Sequence, residues 1–426
     1  MAQSLFSALN WQRTIYVNGF AGQSPMIPAH WNELYRAGKE AMSEKAFAYI
    51  AGGAGLEKTM EANRRGFDRW QIVPHMLRNV EQRDTSITVF GRKLPSPFLL
   101  SPIGVLEMVH SQADLAVARA AAAFNIPFIF SNQASVPMEQ AAAAMGSSPR
   151  WFQLYWSKSD ELVTSLVQRA EKSGCDAIAV TLDTTMLGWR PRDLNLGYLP
   201  FMEGKGIAQY TSDPVFMRLV QEQLHQPQAL ETKPKPTLQA IAGLWKMASA
   251  FPGNPLANLF SPLPRAAVRL FVNIYSRPSL TWDNLRFLRE HTRLPIVLKG
   301  ILHPDDARRA VDEGINGIMV SNHGGRQVDG AVGAIDALPD VVQAVGGQIP
   351  VFMDSGIRSG ADAFKAIALG ATAVGIGRPY AFGLAVGGEA GVREVLQHFL
   401  ADFELNMGLA GCKNVEEIRQ STLRKV

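Results

Sequence analysis

Short apolar runs recur along the chain: PFLLS at 97–101, IPFIF at 126–130, WFQLY at 151–155, AIAVT at 177–181, PIVLK at 295–299, GIMVS at 317–321, PVFMD at 350–354 and AVGIG at 373–377. Each has the length of one strand and is apolar on both faces, as in a strand covered on both sides. Successive starts lie 22 to 33 residues apart, except for one interval of 118. That spacing holds a strand, a turn and a helix. The intervening segments DLAVARAAAAF at 114–124, SDELVTSLVQRAEKSG at 159–174, PDDARRAVDEG at 304–314 and GADAFKAIALG at 360–370 carry caps or acidic residues early and basic residues or glycine late. This is the polarity a helix dipole favours. Eight such units predict an α/β protein of the TIM (β/α)8 barrel type, with an open doubly wound sheet as the alternative.

Two segments fall outside this rhythm, within a chain read as a single domain over 1–426. Residues 1–95 form an N-terminal helical extension, in which SEKAFAYIAGGAG at 43–55 reads as a helix ended by glycines, with Tyr49 near its last turn. The long interval holds an insertion at 194–280 after strand 4, far longer than an ordinary connection and proline-rich at ETKPKPTLQ, 231–239. A lid, an assembly element and a mobile insert are the readings for such a segment. From Gly243 to Trp282 it has no acidic residue, while Lys246, Arg265, Arg269 and Arg277 stand among apolar residues. A basic amphipathic stretch can lie on an anionic membrane, but prolines interrupt this one, which favours lid or subunit packing.

The charge balance, 42 basic against 38 acidic residues, with no long basic run, argues against nucleic acid as a partner and weakly for an anionic ligand. Cys175 and Cys412 are the only cysteines, which points away from a disulfide framework or a zinc site and towards a reducing compartment. The leader MAQSLFSALNWQRT lacks a signal-peptide pattern, and no apolar stretch reaches the ~18 residues of a membrane span. A soluble, cytoplasmic protein without a metal is expected.

Barrel enzymes build their sites at the C-terminal ends of the strands. Those ends carry Ser101, Pro102 and Gly104; Ser131; Gln153 and Tyr155; Thr181 and Asp183; Lys299; Ser321, His323 and Arg326; Asp354 through Arg358; and Gly377 with Arg378. In VSNHGGRQVDG at 320–330, two glycines permit positive φ and a close approach of backbone to a ligand. An ordinary loop with a solvated histidine is the plainer reading. DSGIRSG at 354–360 and GIGRP at 375–379 combine free amides, helix starts and arginines, the makings of a phosphate cradle. Lys299 either faces an anion or polar ring edge, or snorkels to the surface. Asp183 is suited to orient a histidine, and Arg190 and Arg326 either grip a small carboxylate or form structural salt bridges.

Taken in order, YIAGGAG, SPIGV, WFQLY, TLDT with GWRPRD, VLKGI, SNHGGRQ, DSGIRSGAD and GIGRPY resemble the motifs of the FMN-dependent L-2-hydroxy acid oxidizing family. The resemblance implies FMN as cofactor and a small 2-hydroxy acid and O2 as partners. It implies that His323 is the base, steadied by Asp183; that Tyr49, Arg190 and Arg326 bind the substrate carboxylate; and that Tyr155 bonds its hydroxyl. Lys299 would lie at the flavin's pyrimidine edge, with backbone at Pro102, Ile103 and Gly104 against the ring. Ser131, Gln153, Thr181 and Ser321 would bind the ring or ribityl chain, and Asp354, Ser355, Gly356, Arg358, Gly377 and Arg378 the phosphate end.

Within the family, YVNGFAG, Gly104 in SPIGV, GWRPRD, YLPF and YTSDPVF are similar to the lactate 2-monooxygenase branch. That branch turns lactate and O2 into acetate, CO2 and water; a 2-hydroxy acid oxidase releasing peroxide and a quinone-linked dehydrogenase are the alternatives. The resemblance also implies a homotetramer or homo-octamer. Gln133, Met186 and the lid are expected to border the substrate's side chain, in an order that no spacing argument sets.

Overall fold

The computed structural model describes residues 7–224 and 237–426. The leader's first six residues and the ETKPKP part of the proline-rich stretch lie outside the described residues. The eight apolar runs form the barrel strands β1 (Phe98–Leu100), β2 (Phe128–Phe130), β3 (Arg150–Tyr155), β4 (Ile178–Thr181), β5 (Ile296–Ile301), β6 (Gly317–Val320), β7 (Val351–Met353) and β8 (Ala373–Ile376). They pair in parallel in chain order and close through β8 against β1, which rules out the open sheet. Nearly all of their residues are buried, because helices cover the outside and side chains fill the inside. In β5 the register shifts between Lys299 and Ile301, so Gly300, at φ +108, bulges where the strand reaches the site.

The four helical segments named above start within a residue or so of expectation, at Ala113, Asp160, Pro304 and Gly360. Ser159 and Ser359 cap two of them by accepting from Leu162 N and Asp362 N, as such residues do for orphan amides. The N-terminal extension supplies the helices Ala8–Phe20, Trp31–Ala41, Glu44–Ala51 and Lys58–Asp68. It continues into a hairpin, Ile87–Val89 with Arg92–Leu94, whose turn residue Phe90 meets Trp151 at 5.7 Å and Phe352 at 6.1 Å between ring centres. Both partners lie near the N-terminal ends of their strands, so Phe90 plugs the barrel opposite the site.

Between β4 and β5 the insertion is largely helical, with Pro214–Leu224, Leu238–Ala250, Pro255–Phe260 and Leu263–Ile274 before the barrel helix Asp283–His291. Tyr210 packs the insertion's own helices together, its ring 5.4 Å from Phe216 and 4.8 Å from Phe271, and Gln209 ties the insertion to the barrel by accepting from Met138 N at 2.9 Å. The chain closes with Leu423–Lys425 antiparallel to Trp70–Ile72.

Candidate active site

After β6 the backbone turns through three successive left-handed residues, His323 at φ +57, Gly324 at +65 and Gly325 at +76. For a histidine this conformation costs on the order of 1–3 kcal/mol and persists only where neighbours hold it. Here Ser321 Oγ accepts from His323 N at 3.1 Å, and Asn322 Oδ1 accepts from Gly325 N at 3.1 Å. Asn322 and Asn63 of helix Lys58–Asp68 donate to each other's amide oxygens at 2.7 and 2.8 Å. The N-terminal extension thereby fixes the loop that aims the imidazole.

His323 Nδ1 donates to Asp183 Oδ1 at 2.7 Å, which leaves Nε2 as the nitrogen not engaged by the carboxylate. The side chain is 16% exposed and lines a cleft, so it is not a solvated loop histidine. Burial would raise the Asp183 carboxyl, but the His323 ring and the Lys299 ammonium outweigh it and hold it at about 2. Burial lowers the His323 ring, with Asp183 opposing and Lys299 and Arg190 assisting. The pair is a neutral imidazole backed by an ionised carboxylate, equipped to accept a proton on Nε2 and to stabilise the cation formed.

Lys299, 3% exposed, donates to Ser321 Oγ at 2.9 Å and lies 3.4 Å from Asp354 and 3.9 Å from Asp183. Burial works against its charge, but the two carboxylates raise its pKa overall. It is a fixed interior cation, not a snorkelling one.

Tyr49, Tyr155, Arg190 and Arg326 line the same cleft. Arg326 donates to the carbonyl oxygens of Tyr49 and Gly52, with its guanidinium 4.9 Å from the Tyr49 ring centre. Arg190 donates to Arg326 O at 3.3 Å and Gln327 Oε1 at 3.0 Å. Among the described residues neither arginine makes an ion pair, so the salt-bridge reading falls away. Burial and then Arg190 push Arg326 down to about 9. Two guanidiniums held this way call for an anion with two oxygens. Burial raises both tyrosines, and Asp183 adds to the effect on Tyr155, so each hydroxyl keeps its proton.

At the far end of the cleft stand Gly356, Arg358, Gly377 and Arg378. Burial pushes Arg358 and Arg378 each down to about 9; Arg64 adds to the first and Arg358 to the second. Arg358 Nε is buried with no hydrogen-bond partner among the described residues. Crowded guanidiniums with an orphan donor fit a phosphate. Ser355 Oγ accepts from Gly324 N at 2.9 Å and donates to Asp354 Oδ1 at 2.9 Å, and Ser101 donates to Asp354 Oδ2 at 3.1 Å. The β6 and β7 ends are therefore hydrogen-bonded to each other through Ser355.

Between the two ends, Pro102, Ile103, Gly104, Gln153 and Lys299 form the wall. Ser131, Thr181 and Ser321 stand behind it: Ser131 donates to Gln153 Oε1 at 3.2 Å, and Gln153 Nε2 donates to Thr181 Oγ1 at 3.0 Å. Gln133 lines the cleft as expected. Met186 does not; it is 67% exposed, and its neighbour Leu187, itself 44% exposed, lines the cleft instead. Thr184, Phe201 and Tyr275 also line the cleft; the last two come from the insertion, which as a lid was expected to border the pocket, but no strand end announces which of its residues do. Asn63 and Asn322 were missed as well, being 259 residues apart.

A proton acceptor beside a bed for a phosphate-bearing redox cofactor, all on one barrel face, places the protein among the FMN-dependent oxidoreductases. The chain belongs to the FMN-dependent dehydrogenase family, which matches residues 38–425. The FMN-dependent alpha-hydroxy acid dehydrogenase qulF of Penicillium citrinum is 40% identical over 418 residues, 98% of this chain and 96% of its own. The L-lactate oxidase of Lysinibacillus sphaericus (strain C3-41) is 39% identical, with 96% of each chain covered. The crystal structure of mandelate oxidase with (S)-4-hydroxymandelic acid matches with a TM-score of 0.77 at 36% identity, covering 93% of this chain and 99% of that one.

Proposed function

We propose that this enzyme oxidises a small L-2-hydroxy acid, and that its reaction is L-lactate 2-monooxygenation, lactate and O2 giving acetate, CO2 and water. The observation that carries the substrate class is the Arg190 and Arg326 pair, neither of them in an ion pair among the described residues and both lining the cleft that His323 lines. The kinship with an L-lactate oxidase supports it.

FMN, when bound, accepts the two electrons that leave the substrate's hydroxyl-bearing carbon. Arg190, Arg326 and Tyr49 hold the substrate carboxylate, which fixes that carbon and its hydroxyl. Tyr155, kept protonated by burial, hydrogen-bonds the hydroxyl. His323 Nε2 accepts the hydroxyl proton, and Asp183 stabilises the imidazolium across the 2.7 Å bond. Lys299, with Ser321 and Asp354, sets positive charge in the cofactor bed. The arginines at the β7 and β8 ends hold the cofactor phosphate. Phe201 and Tyr275 close the apolar side and limit water.

L-lactate mixed with the holoenzyme in air tests the reading. Acetate equal to the oxygen consumed supports it. Pyruvate with equal peroxide makes the enzyme an oxidase, and flavin bleaching with little oxygen uptake makes it a dehydrogenase. A homotetramer or homo-octamer in the cytoplasm belongs to the same reading and is checked by light scattering. Peripheral membrane contact through the insertion is its lesser alternative, checked by vesicle flotation.

A further inference from the structure

Phe201 enters the cleft from the short helical turn Pro200–Glu203, and this turn is fastened to three parts of the molecule. Its ring is 3% exposed and lies 5.0 Å from the ring of Phe271 in helix Leu263–Ile274. Two residues on, the Glu203 carboxylate accepts from Lys205 Nζ at 3.0 Å and Tyr198 OH at 3.2 Å on one oxygen. Its other oxygen accepts from Lys246 Nζ at 2.8 Å. Lys246 belongs to helix Leu238–Ala250 of the insertion.

That helix also comes close to the turn itself. Gly204 sits at φ +75, where a Cβ would lie 3.4 Å from Ala250 Cβ and 3.5 Å from Met247 Cα. On the barrel side, Gly206 N donates to Glu107 Oε1 at 2.9 Å, and Glu107 N donates to Ser135 Oγ at 3.0 Å. The inner side of the turn is thus tied to the loops after β1 and β2. The outer side depends on the insertion helix, in which Ala248 is the one buried residue. A helix with so little buried surface opens locally at low cost, so one well-formed ion pair is a large share of its attachment. Glu203 is 14% exposed at its side chain and Lys246 48%, so solvent and salt screen the pair in part and its loss is worth a modest factor.

We propose that Glu203 is a positioning residue that latches helix Leu238–Ala250, through Lys246, onto the cleft wall carrying Phe201, and that the latch sets how fast the keto acid product leaves. The proposal rests on the 2-hydroxy acid reading. With the latch closed, the turn is clamped between the β1 and β2 loops and the insertion helix, and Phe201 cannot swing outward. With it broken, the inner tie through Glu107 remains, the site stays assembled, and the wall loosens from outside.

The test uses holoenzymes of E203Q, K246M and the double variant, with two measurements. The first is hydrogen exchange of amides 238–250 relative to the barrel strands; the second is the dissociation rate of pyruvate, followed by the flavin spectrum in a ligand-displacement experiment. Both single variants should lower protection of the helix and speed pyruvate dissociation by about two- to fivefold, as loss of one such ion pair does. The double variant should do no more than either single one, since all three break the same interaction. Oxygen-free flavin reduction by L-lactate should stay within about twofold of the parent. Unchanged exchange and release in K246M, whose lysine is half-exposed and safe to replace, overturns the latch. An effect of E203Q without one of K246M also overturns it, because Glu203 would then act through Tyr198 and Lys205. If the parent binds no pyruvate and lactate does not bleach its flavin, the substrate reading fails, while the exchange measurement still decides the latch.

Discussion

His323 takes its properties from a handful of atoms. Because burial sets its ring below the ordinary imidazole range, the neutral, proton-accepting form prevails as pH falls until that lowered value is reached. The acid limb of kcat/KM should therefore lie below about pH 6.5. Asp183 pulls the ring's pKa upward, so D183N should move the limb further to acid and lower the plateau on the order of 10²-fold or more; a pH profile of flavin reduction reads both. His323→Ala should slow reduction by about 10²- to 10⁴-fold with the flavin still bound, and undiminished reduction would remove the assigned role. At the other end, Arg358→Met should weaken FMN by about 10- to 100-fold, the worth of hydrogen bonds to a charged group, and leave riboflavin binding to the deflavo protein unchanged; titration by fluorescence separates the two. These residues could be named from the sequence because each follows a strand directly. Asn63 could not, because a polar contact between distant segments leaves no periodic trace; Asn322 and Thr184 stand at strand ends too, but nothing in the sequence shows what they contact.

Among elements, the strands were legible because a strand buried on both faces must be apolar throughout, and such a run has few other uses. The insertion was legible only as an interruption. Helices Leu238–Ala250 and Pro255–Phe260 expose Leu238, Ile241, Trp245 and Phe260, so they lack the one-sided pattern that marks a helix on a core. Phe201, in a short turn, and Tyr275, just past helix Leu263–Ile274, were hidden because no strand end marks them, and Met186 stood for Leu187 because a loop has no fixed alternation. The packing at the closed barrel end gives a quantitative expectation. Phe352 is fully buried, with Trp151 at 5.1 Å edge-on and Phe90 at 6.1 Å, the three rings in mutual contact. Phe352→Ala should cost about 3–5 kcal/mol, read as a lower denaturation midpoint with an unchanged slope. Gly325→Ala should instead dislodge the site, since a Cβ there would lie 2.8 Å from Met60 N at φ +76; the expected outcome is a folded barrel with weakened flavin binding.

For the molecule as a whole, the catalytic face is not the barrel's alone. Tyr49 comes from the N-terminal extension, Phe201 and Tyr275 from the insertion, and the remainder from eight strand ends. The pairing of Trp70–Ile72 with Leu423–Lys425 then bears on how the chain is made. At the usual pace of synthesis, the later strand leaves the ribosome roughly 20–70 s after the earlier one. Throughout that time the extension that carries Tyr49 and steadies the histidine loop has an edge with no partner, which is an opening for a chaperone and a liability for aggregation. A nascent chain halted before residue 423 should be more readily cut by protease near residue 70 than the released protein.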